Sequence, residues 1–592
     1  MSNKQHGPFM STRVGEELCD VDITARARPS SRARRRGRWP ITGVVTSTAV
    51  LCWAAASAPF GAAASATPRP SQTASATTLT VMPSPDGPWI DDFNPFDSSS
   101  GAIANGSSSM IYEPLLMFND LKANSITPWL AKSYAFSNRG KTLTFHLHPG
   151  VKWSDGAPFT SADVAFTFEM LKKHPSINGN GITPTSITTP NSMTVTLNFA
   201  SPQFVNLINI AQTPMVPEHI WRSVNPVTYT DSKPVGTGPY TLKSFSPQSY
   251  TLVANPDYWQ KGLPKVGTLV YPGYNSNTAA LAVFSSMDWS SLFEPDIQKL
   301  YVAPGHGQHH YWFPPVSAVA LVPNLKNYPV DIPDVRKAIS DAINRKTIDT
   351  DGEDGYEPPV TNLAGVIPGQ SSYLDKSIPG LAPKYAPSQA KKLLAAAGLK
   401  KGRNGYYESA SGKPINLNLV VPSAFTDWTA DAGVIADELK AVGLNTTVDA
   451  TAVNAWVSDG ATGKFDLTLN GSDAGPSPYY MYNAWLNSSF TAPEGKSAIS
   501  NWERYNSPKA DGLLAEFAST NNVATQRKAM YGLETIMAND LPFIPLVYNV
   551  AWDEYSTAKV TGWPDAAHPY MVPAGYDKPG DELIMLHLKP KS

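Results

Sequence analysis

KTLTFHLHPGVKWSDGAPFTSADVAFTFE, from Lys141 to Glu169, is the stretch that decides how this chain is read. Leu143, Phe145 and Leu147 alternate with Thr144 and His146, the period of two expected of a half-buried strand. Pro149-Gly150 turns the chain, Val151-Lys152-Trp153 starts a second short extended run, and Asp155-Gly156 supplies a tight turn. Thr160 or Ser161 stands where a helix N-cap belongs, ahead of an apolar side carrying Val164, Phe166 and Phe168. Nothing in the stretch is a nucleophile, a metal cluster or a phosphate loop.

Further strands are expected at Leu79–Val81, where the fold begins near Thr78, and at Met193, Val195 and Leu197. The glycines of Pro234-Val235-Gly236-Thr237-Gly238-Pro239-Tyr240 are followed at once by proline, with no GK[ST] and no helix start. That argues for a tight turn and against a phosphate loop. From about residue 320 the pattern changes. Val335, Ala338, Ile339, Ala342 and Ile343 trace one helix face. Ala390, Leu393, Leu394 and Ala397 trace another, opened by Pro387 and stopped by Gly398. A strand at Ile415–Val421, a helix carrying Ala432, Ile435, Ala436 and Leu439 up to Gly443, and strands at Leu444–Val448 and Phe465–Leu469 follow. Such alternation predicts an α/β region with a mostly parallel sheet and right-handed crossovers.

Several blocks accompany the opening stretch in order: Ile111-Tyr112-Glu113-Pro114-Leu115, Pro128-Trp129-Leu130-Ala131, Val216-Pro217-Glu218-His219, the GTGPY turn, and Asn255-Pro256-Asp257-Tyr258-Trp259. VRKAISDAINRKTI ending at Ile348, Asn501-Trp502-Glu503-Arg504-Tyr505 and Leu541-Pro542-Phe543-Ile544-Pro545-Leu546 complete them. Together, over roughly residues 78–550, they resemble the family-five extracellular solute-binding proteins, the receptors of ATP-binding cassette importers. The resemblance implies a two-lobed periplasmic-binding-protein-like fold of class II with an extra subdomain, mixed and parallel sheets, and a hinge. It places lobe I at 78–319, with the extra subdomain near 116–230, lobe II at 320–545, and a return to lobe I at 546–592. The crossings are expected at Ala318–Asn324 and Leu546–Asn549, both extended and uncharged. The implied function is capture of oligopeptides, or of oligosaccharides in another branch, outside the membrane, as a monomer that delivers its solute to a membrane permease. It implies no catalysis and no cofactor.

The chain has 592 residues, enough for about three domains at roughly 100–200 residues each. Its net charge of −2 hides an asymmetry. Residues 1–66 carry nine Lys/Arg against four Asp/Glu, so the rest stands at −7 and lacks a nucleic-acid footprint. The basic cluster precedes an apolar run from Ile41 to Ala58 and a small-residue exit at Ala64-Ser65-Ala66. This is the pattern of an export signal over 1–66, with a single membrane anchor as the alternative. A Pro/Ser/Thr tether over 67–77 follows. The two cysteines, Cys19 and Cys52, both lie in the leader, so the body has no disulfide framework or thiolate chemistry. Cys52 is a candidate for lipidation, although Leu51 and Trp53 flank it where small residues are usual.

Five residues are candidates for ligand binding. Asp473 follows the strand ending at Leu469, so it emerges at a carboxyl edge. In peptide-binding members of the resembling family, an aspartate at a matching place pairs with the ligand ammonium, a charge-assisted contact. Asn470 and the following GPSP depart from that family's pattern. Tyr480, Tyr482, Trp485 and Trp502, with Tyr479, form an aromatic group in sequence that could stack on sugar or peptide, or simply pack a core. His306, His309 and His310 suggest an exposed histidine loop more than a metal site. DTDGEDG, Asp349–Gly355, lacks the spacing of a calcium loop and is expected to be a solvated helix exit. No GxSxG, HExxH, Walker loop or GxGxxG is present. An exported glycan hydrolase is the rival from another class, because paired carboxylates need not be close in sequence.

The leader yields a test. N-terminal sequencing of exported protein should start close after Ala66, or at Cys52 if that residue is lipidated. A cytosolic product beginning at Met1 would contradict the export reading.

Overall fold

The computed structural model describes residues 77–83, 87–274, 277–292, 296–472 and 474–591. The expected export signal and nearly all of the tether lie outside the described residues, as does Asp473.

Three sheets organise the described chain. The opening stretch belongs to a four-stranded antiparallel sheet ordered Ala131–Ser137, Thr142–Leu147, Thr194–Asn198, Ser186–Asn191. Leu143, Phe145 and Leu147 point inward and are fully buried, as their alternation requires. Gly150 and Gly156 hold the two turns with left-handed backbone. The helix Ser161–Lys173 starts on a capping box. Thr160 Oγ1 accepts from the Ala162 amide at 3.2 Å, and Asp163 Oδ2 accepts from the Thr160 amide at 2.8 Å. The expected single apolar side is corrected here. At 100° per residue, Val164 and Phe168 share a face, but Phe166 lies almost opposite. Val164 and Phe168 fill the core of the four-stranded sheet, while Phe166 and Met170 pack against the core of the next one. One helix thus belongs to two cores.

That second core lies under a seven-stranded sheet ordered His309–Tyr311, Glu554–Ser556, Trp289–Ser290, Thr78–Met82, Thr268–Pro272, Ser249–Ala254, Tyr240–Ser246. Thr78–Met82 runs parallel to both its neighbours, and the remaining pairs are antiparallel. The third sheet is ordered Asn445–Thr451, Asn416–Pro422, Leu467–Gly471, Val319–Pro323, Ile544–Val547. Its first three strands are parallel, but Val319–Pro323 is antiparallel to both neighbours, so the sheet is mixed where a mostly parallel one was expected. The expected helix faces are buried against this sheet. Gly398 and Gly443 take left-handed backbone where their helices stop.

Val319–Pro323, an inner strand, and Ile544–Val547, the edge strand beside it, are buried along their whole length, which is why these stretches carry no charge. The segments that run between the two larger sheets lie just beyond them. Val316 donates to Asn549 O at 2.9 Å, Ala551 to Pro314 O at 3.0 Å, and Trp312 to Asp553 O at 3.0 Å. Residues 312–318 and 548–553 are therefore two paired extended segments, continuous with His309–Tyr311 and Glu554–Ser556 at one end.

Three of the blocks that carried the family resemblance, those holding Glu113, Trp129 and Tyr258-Trp259, converge on one buried carboxyl pair. Glu113 and Glu582 are fully buried. Glu113 Oε1 accepts from Trp129 Nε1 at 2.9 Å, Tyr258 OH at 2.8 Å and Trp259 Nε1 at 2.9 Å. Trp129 and Tyr258 each also reach Glu582 Oε1 at 3.3 Å. The GTGPY turn packs beside this nest, but not for the reason expected. A Cβ on Gly236 would fall 1.7 Å from Ile111 O, and one on Gly238 would fall 2.4 Å from Met110 O. Both glycines allow close backbone approach to the segment that delivers Glu113.

Burial raises the pKa of both carboxyls, and the neighbouring Glu113 charge pushes Glu582 further, well above the ordinary 4.5. A carboxyl with a raised folded pKa binds its proton more tightly folded than unfolded. Its stabilisation is complete below pH 4.5 and is lost as pH rises toward the folded pKa. Glu582→Gln supplies a permanent neutral group of the same shape. Thermal melts between about pH 5 and about pH 9 should show a flatter pH dependence for this variant, with its relative stability greatest at the alkaline end. A parallel fall in both proteins would show that Glu582 does not hold the proton.

Candidate functional site

A cavity of about 570 Å3 opens where the regions around the three sheets meet. The turn Asp92–Phe96 and the segment leading to Tyr112 form one wall, through Phe96, Asp97, Ile103, Ser108 and Tyr112. The layer of the four-stranded sheet forms a second, through Leu171, Ile177, Asn180, Ile208, Asn209 and Gln212. Ala474 and Tyr480 reach in from the five-stranded-sheet side, and Lys578 and Pro579 from the C-terminal region.

The turn is built by Asx bonds. Asp92 Oδ1 accepts from the Asn94 amide at 2.8 Å, and Asn94 Oδ1 accepts from the Phe96 amide at 2.9 Å. The Asn94 carboxamide then donates to Pro226 O at 3.0 Å and Tyr229 O at 2.8 Å, which fixes the Phe96 ring. Tyr112 is held from behind, its hydroxyl donating to Asp231, which also accepts from Tyr229 OH at 2.9 Å. Burial raises the Asp231 pKa while the two tyrosine hydroxyls lower it. Tyr480 donates to Val205 O at 2.8 Å, and burial pushes its phenol pKa up, so it is a neutral hydrogen-bonding ring. Asn209 and Gln212 lie three residues apart on and just after the short helix Leu207–Ala211 and face the same side. Together with Asn180, their carboxamides have no protein partner among the described residues. Lys578 Nζ donates to Ile103 O at 3.0 Å. The surrounding walls deprive it of bulk water and lower its pKa, which Asp581 and then Asp577 partly restore. The cavity therefore offers rings, carboxamides that both donate and accept, and one partly compensated cation. Among the described lining residues Asp97 is the one carboxylate.

Of the residues singled out in sequence, Tyr480 lines this cavity. Asp473 lies outside the described residues, and its neighbour Ala474 is on the cavity wall. Tyr482, Trp485 and Trp502 are drawn together in the core of the five-stranded sheet and do not line it. Tyr482 donates to Ala364 O at 2.8 Å. The Trp485 ring meets Phe543 edge-on at 4.3 Å, and Trp502 packs on Trp456 at 5.2 Å. Tyr479 stacks on Phe517 at 4.8 Å. The histidines are corrected from the expected exposed loop. His306 is exposed, but His309 and His310 sit half-buried on a strand. His309 stacks on Tyr301 at 4.4 Å and its Nδ1 lies 3.0 Å from Tyr301 O. The acidic run is not a solvated exit either. Asp349 and Glu353 are buried, and Glu353, beside Asp431, is pushed up to about 10 by burial and by the Asp431 charge. Among the described residues no group of three His, Cys, Asp or Glu could hold a metal ion. Phe96, Tyr112, Asn209, Gln212 and Lys578 were not anticipated as lining residues. Tyr112 stood inside a recognisable sequence block, whereas the carboxamides carry no local signal.

Comparison with known proteins agrees with this architecture. A family model described as "Bacterial extracellular solute-binding proteins, family 5 Middle" matches residues 125–493. A putative peptide-binding protein of an ABC transporter from Brucella ovis is 30% identical over 478 residues, covering 75% of this chain and 82% of that one. The glutathione-binding protein of Salmonella typhimurium is 25% identical over 480 residues, covering 77% and 86% respectively. Among solved structures, a periplasmic oligopeptide-binding protein of Thermotoga maritima superposes with a TM-score of 0.78 at 28% identity, covering 87% of this chain and 99% of that one. The mannohexaose-bound form of that protein gives a TM-score of 0.70 with the same identity and coverage.

The core placement of the tryptophans has a measurable consequence. Trp485→Ala should lower unfolding stability by about 3–5 kcal/mol in a denaturant titration, the usual cost of emptying a large aromatic site. A stability loss within about 0.5 kcal/mol, typical of surface changes, would place the ring at the surface instead.

Proposed function

Since the chain belongs to family 5 of the bacterial extracellular solute-binding proteins, we propose that it is the solute receptor of an ATP-binding cassette importer. It captures oligopeptides or related oligomeric solutes outside the membrane and delivers them to a permease. The observation that carries this reading is the cavity between the sheets, walled by side chains suited to reversible binding. Clefts between domains are the preferred place for such ligands. The paired segments 312–318 and 548–553 are the hinge in this reading, so lobe I comprises 78–319 and 546–592, with the extra subdomain near 116–230, and lobe II 320–545. Closure is driven by solute buried between the walls. Among the described residues no helix is long and apolar enough to cross a membrane; the permease is the partner that the family reading implies.

A second reading, an oligosaccharide as solute, is favoured by the unpartnered carboxamides of Asn180, Asn209 and Gln212 facing the rings of Phe96, Tyr112 and Tyr480. Carboxamides both donate and accept, which matches hydroxyls, and rings match the C–H faces of sugars. The rival hydrolase reading needs two carboxyl groups flanking a scissile bond. The described cavity lining supplies Asp97 alone.

Mannohexaose and a nonapeptide, titrated side by side, test these alternatives. A bound solute should raise the melting temperature by mass action and be recovered chemically intact. Cleavage at a catalytic rate would move the assignment to the hydrolase. Gln212→Ala should weaken the bound solute by about fivefold, the loss of one neutral hydrogen bond. Asp473→Asn should weaken the peptide and spare the oligosaccharide, because only the peptide brings an ammonium. If neither probe binds and native mass spectrometry finds no co-purified solute, the receptor reading fails.

A further inference from the structure

The layer of the four-stranded sheet touches the five-stranded-sheet side directly, beside the cavity wall formed by Ala474 and Tyr480. The contact is made by residues 119–125, the loop of the hairpin formed by Leu116–Phe118 and Ile126–Pro128. Ala123 donates its amide to Gly369 O at 3.2 Å, and Asn124 donates its amide to Pro476 O at 3.3 Å. The Asn124 carboxamide and the Tyr373 hydroxyl bond reciprocally. Nδ2 donates to the hydroxyl at 3.0 Å, and the hydroxyl lies 3.1 Å from Oδ1. Tyr480 adds its bond to Val205 O at 2.8 Å. Ala123 and Val205 also pack against the core of the five-stranded sheet, although both belong to the opposite layer.

Two backbone features shape this seam. Asn124 sits at φ 57°, a left-handed position that asparagine tolerates better than most residues, and this presents its amide and side chain to the other side together. Gly369 opens the short helical segment Pro368–Tyr373. A Cβ there would lie 1.9 Å from Leu121 O, and the three atoms nearest to it all belong to Leu121. Gly369 is not in the left-handed region, so its own segment would accept alanine. The demand for glycine comes from the approach of the opposing loop.

We propose that this seam is a latch. The 119–125 loop fastens onto Gly369, Tyr373 and Pro476 and holds the two sides together beside the cavity. That it closes over a solute rests on the receptor reading; the latch itself is a property of the free chain. Its bonds are neutral and few, so it can release without unfolding either side. Closing by this route adds a second point of attachment beside the paired segments 312–318 and 548–553, since Leu121 of the same loop packs with Val316 against the cluster that holds Ala551. It thereby biases the population of closed molecules that a solute meets.

Gly369→Ala is a wedge specific to the closed arrangement. Asn124→Gly keeps the left-handed backbone and removes only the carboxamide. Hydrogen exchange and small-angle scattering on the ligand-free full chain read both. Gly369→Ala should speed exchange of the Ala123 and Asn124 amides by about tenfold or more and enlarge the radius of gyration. Asn124→Gly should speed the Ala123 amide by about fivefold, in line with the neutral bonds lost. Protection of the strand Asn416–Pro422 should be unchanged in both, since the seam is remote from it. If that strand loses protection in Gly369→Ala, the variant is misfolded and Asn124→Gly decides. Unchanged exchange at Ala123 in a folded variant overturns the latch. If the seam opens as expected while no solute binds the parent chain, the latch stands and the receptor reading falls.

Discussion

The buried Glu113–Glu582 pair is the constraint on which the junction between the four-stranded sheet and the C-terminal helix depends. Two carboxyls with no cation against them are costly to bury unless they are neutralised or surrounded by donors. Here the donors are Trp129, Tyr258 and Trp259, drawn from two separate segments, and Glu582 comes from the helix Gly580–His587 near the end of the chain. Satisfying the pair requires all of these segments to arrive together. The nest therefore ties the four-stranded sheet, the turn at Gly236–Gly238 and the C-terminal helix into one junction. The site depends on that junction, because Tyr112, beside Glu113, faces the cavity, and Lys578 is only four residues before Glu582.

The same economy appears where the two larger sheets are joined. Two antiparallel segments that pair with each other can bend as a unit while keeping their backbone groups bonded, which a single linker cannot do. Their strand extensions are anchored in buried sheets at both ends. In the receptor reading, closure bends 312–318 and 548–553 while the sheets keep their internal packing. A mixed sheet follows from the same topology, because a chain that leaves and returns through adjacent strands must run antiparallel there.

Much of the fold was legible in sequence, for reasons that differ by element. Leu143, Phe145 and Leu147 declared a strand through period two, and Gly398 and Gly443 declared helix ends through their backbone freedom. The error at Phe166 came from reading period two into a helix, where 3.6 governs. The candidate site was less legible. Trp485 and Trp502 are as aromatic as Phe96 and Tyr112, and nothing local distinguishes a ring packed on Phe543 from one that faces a cavity. Asn209 and Gln212 look in sequence like any polar residues after a short helix. His309 and Glu353 were misjudged for the same reason: charge density in sequence does not say which side of a strand or turn is covered.

The sequence by itself determined the local structure, the family resemblance and the absence of a nucleophile or phosphate motif. These depend on periodicity, caps and blocks of neighbouring residues, all short-range. The tertiary structure alone decided that Glu113 meets Glu582, that Asn124 meets Tyr373, and that Phe96, Gln212 and Tyr480 share one cavity. Those pairings join residues far apart in the chain. Their physical basis is burial and hydrogen-bond satisfaction in three dimensions, which no window of neighbouring residues contains.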